Sequence, residues 1–245
     1  MIDLRQGDCL DVIKDIPNKS IDLIVTDPPY WHKKSPGKPY SQRKQSNTKS
    51  KFAQSDLYNV NGLLMHNLSD FNGENIEALL KCISRIMKKM NAYIFCNDTQ
   101  IAYYAMWAER NKYMFSILVW EKPLSIINKN RYSQNTEYII RIYEYGTGLN
   151  RIEKNEYYNK VKKCKPINGK KKLHPTEKPV DLINQIIELS SKENDIVLDC
   201  FMGSGSTGVA CVNTNRNFIG IELDKKHFEI AKERIETCQN QNNML

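Results

Sequence analysis

Apolar residues along this chain alternate between two rhythms. Short apolar runs read as strands: IDLRQ (2–6), IDLIVTD (21–27), AYIFCN (92–97), FSILVWE (115–121), TEYIIRIYE (136–144), DIVLDCF (195–201) and NFIGIE (217–222). Between them, apolar residues recur every three or four positions. NIEALLKCISRIMKKM (75–90) carries Ile76, Leu79, Leu80, Ile83 and Ile86 on one helical face. The same spacing predicts helices over 9–16, 99–111, 179–191, 206–214 and 224–238. Strands alternating with helices predict an α/β fold with helices on both faces of a sheet. No internal repeat interrupts the pattern.

Two segments break the rhythm, and both are basic. Residues 31–51 and 146–173 each carry a net +7, so the remaining chain is at −6 within a total of +8. These polar runs contain tyrosines, and Lys33, Lys34, Lys38, Arg43, Lys44, Lys162, Lys163, Lys170, Lys171 and Lys172 are candidate phosphate contacts. Neutralising phosphates is the main sequence-independent source of nucleic-acid affinity, so a polyanion is the expected partner. The seven cysteines are scattered without a C-x-x-C pair, which argues against a zinc ribbon or disulfide scaffold and for a reducing compartment. No apolar run approaches a membrane span, and the N-terminus lacks the pattern of a signal peptide. The expected setting is cytoplasmic, without a membrane partner or a metal.

Two stretches carry chemistry. The strand IDLIV runs into Asp27-Pro28-Pro29-Tyr30. Proline lacks a backbone N–H and fixes φ, so two prolines end a sheet ladder in a stiff corner beside a carboxylate and an aromatic ring. Near the other end, Gly203-x-Gly205-x-x-Gly208 follows a strand and opens a helix, and Glu222 lies 19 residues after Gly203 at the end of the next strand. Glycines there let backbone approach a ligand at a helix N-terminus, and the acid suits ribose hydroxyls. Because about 40 residues follow this unit, strands from earlier in the chain must complete the sheet. The cofactor half is then C-terminal, with the D-P-P-Y corner facing it across the crevice.

TDPPYW (26–31), HPTEKP (174–179), LDCFMGSGSTG (198–208) and FIGIELD (218–224) together resemble the S-adenosylmethionine-dependent amino-methyltransferases of DNA. D-P-P-Y comes first and the glycine motif last, the permuted order of the beta class. The resemblance implies a Rossmann-like, doubly wound, mostly parallel seven-stranded sheet. It implies a catalytic domain from 1–121 and 174–245 and a short basic target-recognition region at 122–173. Asp27, Pro28, Pro29 and Tyr30 would be catalytic. Asp8, Cys9, Asp27, Thr176, Lys178, Asp199, Phe201, Gly203, Ser204, Gly205, Ser206 and Glu222 would line the cofactor site, with Asp8 on the adenine amine and Glu222 on the ribose. Many members have Pro at the position of Cys200 and Thr at that of Ser206.

By the same resemblance, Asp27 and the Pro28 carbonyl would accept hydrogens from an exocyclic amine and localise its lone pair for attack on the sulfonium methyl, with S-adenosylhomocysteine as product. Tyr30 would stack on a base flipped from double-stranded DNA. D-P-P-Y leans to adenine N6, and cytosine N4 is the second choice. None of the cysteines follows a proline, which disfavours transfer to cytosine carbon 5. An RNA amine, a nicotinamide oxidoreductase and an inactive binding module on the same fold are the other readings. The family further suggests a prokaryotic or phage-infected cell, a homodimer and a cognate restriction endonuclease.

Overall fold

The computed structural model describes residues 1–30, 71–122, 132, 135–165 and 177–242. Eight strands form one sheet: β1 (Ile2–Gln6), β2 (Leu23–Thr26), β3 (Asn91–Cys96), β4 (Met114–Glu121), β5 (Thr136–Tyr143), β6 (Val161–Lys162), β7 (Ile196–Asp199) and β8 (Asn217–Glu222). Among the described residues, six α-helices accompany them: α1 (Cys9–Val12), α2 (Gly73–Ile86), α3 (Asp98–Arg110), α4 (Val180–Ser190), α5 (Ser206–Asn213) and α6 (Lys225–Asn242).

The strand order is β1-β8-β7-β2-β3-β5-β4-β6. Every pairing is parallel except the two that β5 makes, with β3 and with β4. The central strands are mostly apolar because both faces are covered. All residues of β2 and β3 are buried. Ile24, Ala92 and Ile94 pack with the apolar faces of α2 and α3, while Leu23, Val25, Tyr93 and Phe95 pack with Leu182, Ile183, Ala231 and Ile235 of α4 and α6. This is the doubly wound sheet that the alternation predicts.

Three details differ from the sequence reading. The sheet has an eighth strand, because the two-residue β6 pairs with β4 at Val119 and Trp120. The helix expected to reach residue 90 ends at Ile86, since Met87 turns extended and Lys88 N–H donates to the Ile21 carbonyl, feeding the chain into β3. Strand β5 falls within 122–173 yet lies between β3 and β4, so part of that range belongs to the catalytic sheet. Among the described residues, no helix is long and apolar enough to cross a membrane.

The third glycine of the motif serves packing. A Cβ on Gly208 would sit 2.3 Å from Ile235 Cδ1 and 2.8 Å from Phe218 Cε1, so α5 meets α6 and β8 only because Gly208 has no side chain. Gly208→Ala is expected to cost about 1–3 kcal/mol through overpacking. Urea unfolding should show a lower midpoint at an unchanged slope.

Candidate active site

Strands β1, β8, β7 and β2 run parallel side by side, so the residues after each one gather along one edge of the sheet. Asp8 follows β1, Glu222 ends β8, the loop 200–205 follows β7 and Asp27–Tyr30 follow β2. Parallel sheets bind ligands at this carboxyl edge. Glycine motif and D-P-P-Y corner are therefore neighbours, although 172 residues separate Tyr30 from Met202.

In the glycine loop, Gly203 and Gly205 adopt left-handed backbone with φ of 51° and 79°. Gly205 sits at the N-cap of α5 with no side chain over the helix's first N–H groups. Glu222 closes the other side: Oε2 accepts from Gly203 N–H at 2.9 Å and Oε1 from Asp224 N–H at 2.9 Å. Burial lifts its pKa above the usual range, although both backbone bonds favour the carboxylate. Asp8 N-caps α1, its Oδ1 accepting from Leu10 N–H at 2.8 Å. Cys9 is buried among apolar side chains and its thiol is pushed up by desolvation, so it contributes packing rather than a thiolate. Phe201 packs edge-on against Phe71, with centroids 5.4 Å apart.

Other motif residues play parts that their positions in the sequence do not reveal. Asp199 is buried and points into the fold. Its Oδ1 accepts from Thr26 Oγ1 at 2.8 Å and Phe201 N–H at 3.0 Å, and its Oδ2 from Thr207 Oγ1 at 2.6 Å. It ties β2, β7 and α5 together instead of offering a free carboxylate. Burial pushes its pKa up to about 6 against those three bonds. Ser204 and Ser206 turn their hydroxyls to Arg234 of α6, which donates to both at 3.3 Å and to the Ser204 carbonyl at 3.1 Å. The same guanidinium pairs with the buried Glu177 at 2.7 Å, linking the H-P-T-E-K-P segment to the glycine loop.

Lys178, expected on the cofactor side, lies against the D-P-P-Y corner. Its Nζ is 2.5 Å from Asp27 Oδ2 and 3.2 Å from Glu137 Oε2, and it sits over the Tyr30 and Phe95 rings at 5.3 and 5.2 Å. Tyr30 donates its hydroxyl to Glu137 Oε2 at 3.2 Å, and Lys122 completes the chain by pairing with Glu137 Oε1. Gln100 in the first turn of α3 donates to the Pro29 carbonyl at 2.9 Å, pinning the turn that carries Pro28. Asp27 Oδ1 is buried and, among the described residues, lacks a hydrogen-bond partner. Such an atom costs stability unless something supplies a donor, which marks it as a place for a ligand hydrogen. Burial lifts the Asp27 pKa despite the attraction of Lys178. Burial would also lift Glu137, but Lys178 and Lys122 outweigh it and hold that carboxyl low. Desolvation opposes the charge on Lys178, yet its two carboxylates keep its pKa raised.

Among the basic candidates, Lys162 departs from expectation. It is buried in β6 and its ammonium donates to the Tyr157 carbonyl, because the short 3-10 turn at Asn155–Tyr158 folds back over it. Lys163 is exposed, 3.9 Å from Glu121. Lys33, Lys34, Lys38, Arg43, Lys44, Lys170, Lys171, Lys172 and Thr176 lie outside the described residues. Sequence reading missed Glu137, Lys122, Gln100 and Arg234. Glu137 had one signal, an acid inside the apolar strand TEYIIRIY.

A family model for N6 and N4 methyltransferases, described as DNA methylase, matches residues 21–233. The Type II methyltransferase M.HpaI of Haemophilus parainfluenzae is 30% identical over 94% of this chain and 73% of its own length. The solved complex of M1.HpyAVI with SAM is 30% identical, covers 96% of this chain and 100% of that one, and has a TM-score of 0.66. The cytosine-N4-specific PvuII methyltransferase shares the fold at a TM-score of 0.70 and 14% identity, over 98% of this chain and 92% of its own. Matched by this family model over residues 21–233, the chain belongs to the N6/N4 DNA methylase family.

Proposed function

We propose that this chain transfers a methyl group from S-adenosylmethionine to the N6 amine of an adenine flipped out of double-stranded DNA. The buried, unpartnered Oδ1 of Asp27 carries the reading. An amine hydrogen is the donor that this oxygen lacks, and the aspartate heads a D-P-P-Y corner, the form that leans to adenine. Residues at the carboxyl edge fit the cofactor: left-handed glycines open a helix N-terminus, Glu222 stands where ribose hydroxyls would reach it, and Asp8 flanks the far side. When bound, the cofactor supplies an electrophilic methyl on a sulfonium.

The chain's residues prepare the nucleophile. An aromatic amine delocalises its lone pair into the ring. Asp27 Oδ1 and the Pro28 carbonyl accept its two hydrogens and draw the nitrogen towards a tetrahedral shape. Prolines and the Gln100 bond hold those acceptors in place before the base arrives, so little reorganisation remains. Tyr30 stacks on the base with the ring face turned away from Lys178. Once methylated, the nitrogen would have to shed a proton. Asp27, whose proton affinity burial has raised, takes it.

DNA from a host without its own DNA methylases, expressing this chain and digested to nucleosides, should contain N6-methyladenine by mass spectrometry. N4-methylcytosine in its place would move the target to cytosine. For the cofactor half, Glu222→Ala should weaken S-adenosylmethionine binding about 10- to 100-fold in calorimetry, the loss of a charged hydrogen-bond acceptor. A change under about twofold would remove Glu222 from the site.

A further inference from the structure

We propose that Glu137 is a positioning residue for methyl transfer: by sharing the Lys178 ammonium with Asp27, it keeps that ammonium from claiming the catalytic carboxylate outright. The inference rests on the amine-methylating role of Asp27 given above. Its basis is the geometry of the chain Lys122–Glu137–Lys178–Asp27. Lys178 lies between two carboxylates, at 2.5 Å from Asp27 and 3.2 Å from Glu137. Glu137 in turn lies between two ammonium groups and accepts the Tyr30 hydroxyl. Its backbone is anchored in β5, where Glu137 pairs with Trp120, and Lys122, Lys178 and Tyr30 hold its carboxylate.

A single ammonium on a single buried carboxylate would form a tight pair, with the oxygen lone pairs polarised towards the cation. Such an aspartate is a poor acceptor for an amine hydrogen and a poorer one for a proton. Glu137 draws part of the Lys178 charge to itself and adds a negative charge near Asp27. Asp27 thereby keeps enough basicity to serve the amine, while Lys178 still keeps it ionised. Other titratable groups around Asp27 are Tyr30, Asp199 of β7, Cys96 of β3 and Tyr104 of α3. The hydroxyls and thiol among them stay neutral near pH 7, burial having raised each one.

Glu137→Gln keeps size and an acceptor for Lys178 and Tyr30 but removes the charge. Expected results are a kcat lower by roughly 10-fold, a S-adenosylmethionine Kd within about twofold, and an acid limb of the kcat profile moved to lower pH. Glu137→Asp keeps the charge on a shorter arm, so its limb should stay at the wild-type pH even where kcat falls. A limb that stays put or rises in Glu137→Gln, or an unchanged kcat, overturns the proposal. If Glu137→Gln does not fold, Glu137→Asp decides, and a displaced limb in it counts against the proposal. Asp27→Ala separates the two levels. Normal methylation by that variant overturns the proposed function, whereas an inactive Asp27→Ala beside an unmoved Glu137→Gln limb overturns this inference alone.

Discussion

Asp27→Ala is expected to slow methylation roughly 10³-fold while leaving S-adenosylmethionine affinity within about threefold. The split follows from where the carboxylate sits. Asp27 stands after β2, and among the described residues its Oδ1 lacks a partner, so on the proposed function the group removed is the one aimed at the substrate. In the proposed function, cofactor affinity rests on other strand ends, after β7, β8 and β1. Stability should fall less than for a typical broken buried ion pair, about 3–5 kcal/mol, because Lys178 keeps Glu137 at 3.2 Å. Single-turnover rates paired with calorimetric cofactor binding check both halves. An equal loss in both would place Asp27 in the cofactor site and not at the amine.

Lys178→Met should have the second-largest effect, and it should change with pH. The lysine is almost wholly buried and serves two carboxylates. Removing its charge leaves Asp27 and Glu137 facing each other in a partly dry site, and both carboxyl pKa values must rise. Carboxyls raised above their unfolded values are protonated preferentially in the folded state. The variant's deficit relative to wild type is therefore largest above the folded pKa values and shrinks as pH falls through them. At neutral pH the cost should be about 3–5 kcal/mol, that of a buried charge left unpaired. Activity should fall by about 10²-fold, with the acid limb moved to higher pH, opposite to the shift expected for Glu137→Gln. Urea titrations at several pH values, with kcat measured alongside, test this. A deficit that does not vary with pH would mean that Lys178 acts by packing alone.

How much of this was legible beforehand depended on how far apart the partners lie in the chain. The glycine loop and Glu222 could be read together because a local unit, strand, turn, helix and strand, places them within 19 residues. Asp27-Pro28-Pro29-Tyr30 was legible because proline's rigidity is intrinsic to the residue. A sheet with helices on both faces followed from periodicity, and its doubly wound form from the family resemblance. What escaped depended on long-range packing. The resemblance sets Lys178 on the cofactor side, and only the fold brings it to Asp27, 151 residues away. Ser204 and Ser206 look like ligand hydroxyls until α6 sets Arg234 beneath them. Lys162 reads as one more charge in a basic run, but a short turn and two residues of strand bury it. Asp199 shows the same limit: a motif marks it as important without telling which way its carboxylate points.

The central claim is amine methylation of DNA at the Asp27 corner. The most direct test incubates purified wild type and Asp27→Ala with tritiated S-adenosylmethionine and unmethylated double-stranded DNA, with RNA in a parallel reaction, and then resolves the digested nucleosides. The account predicts label in N6-methyladenine from DNA with the wild type, and almost none with the variant. Label confined to RNA, label at cytosine carbon 5, or equal labelling by Asp27→Ala would contradict it.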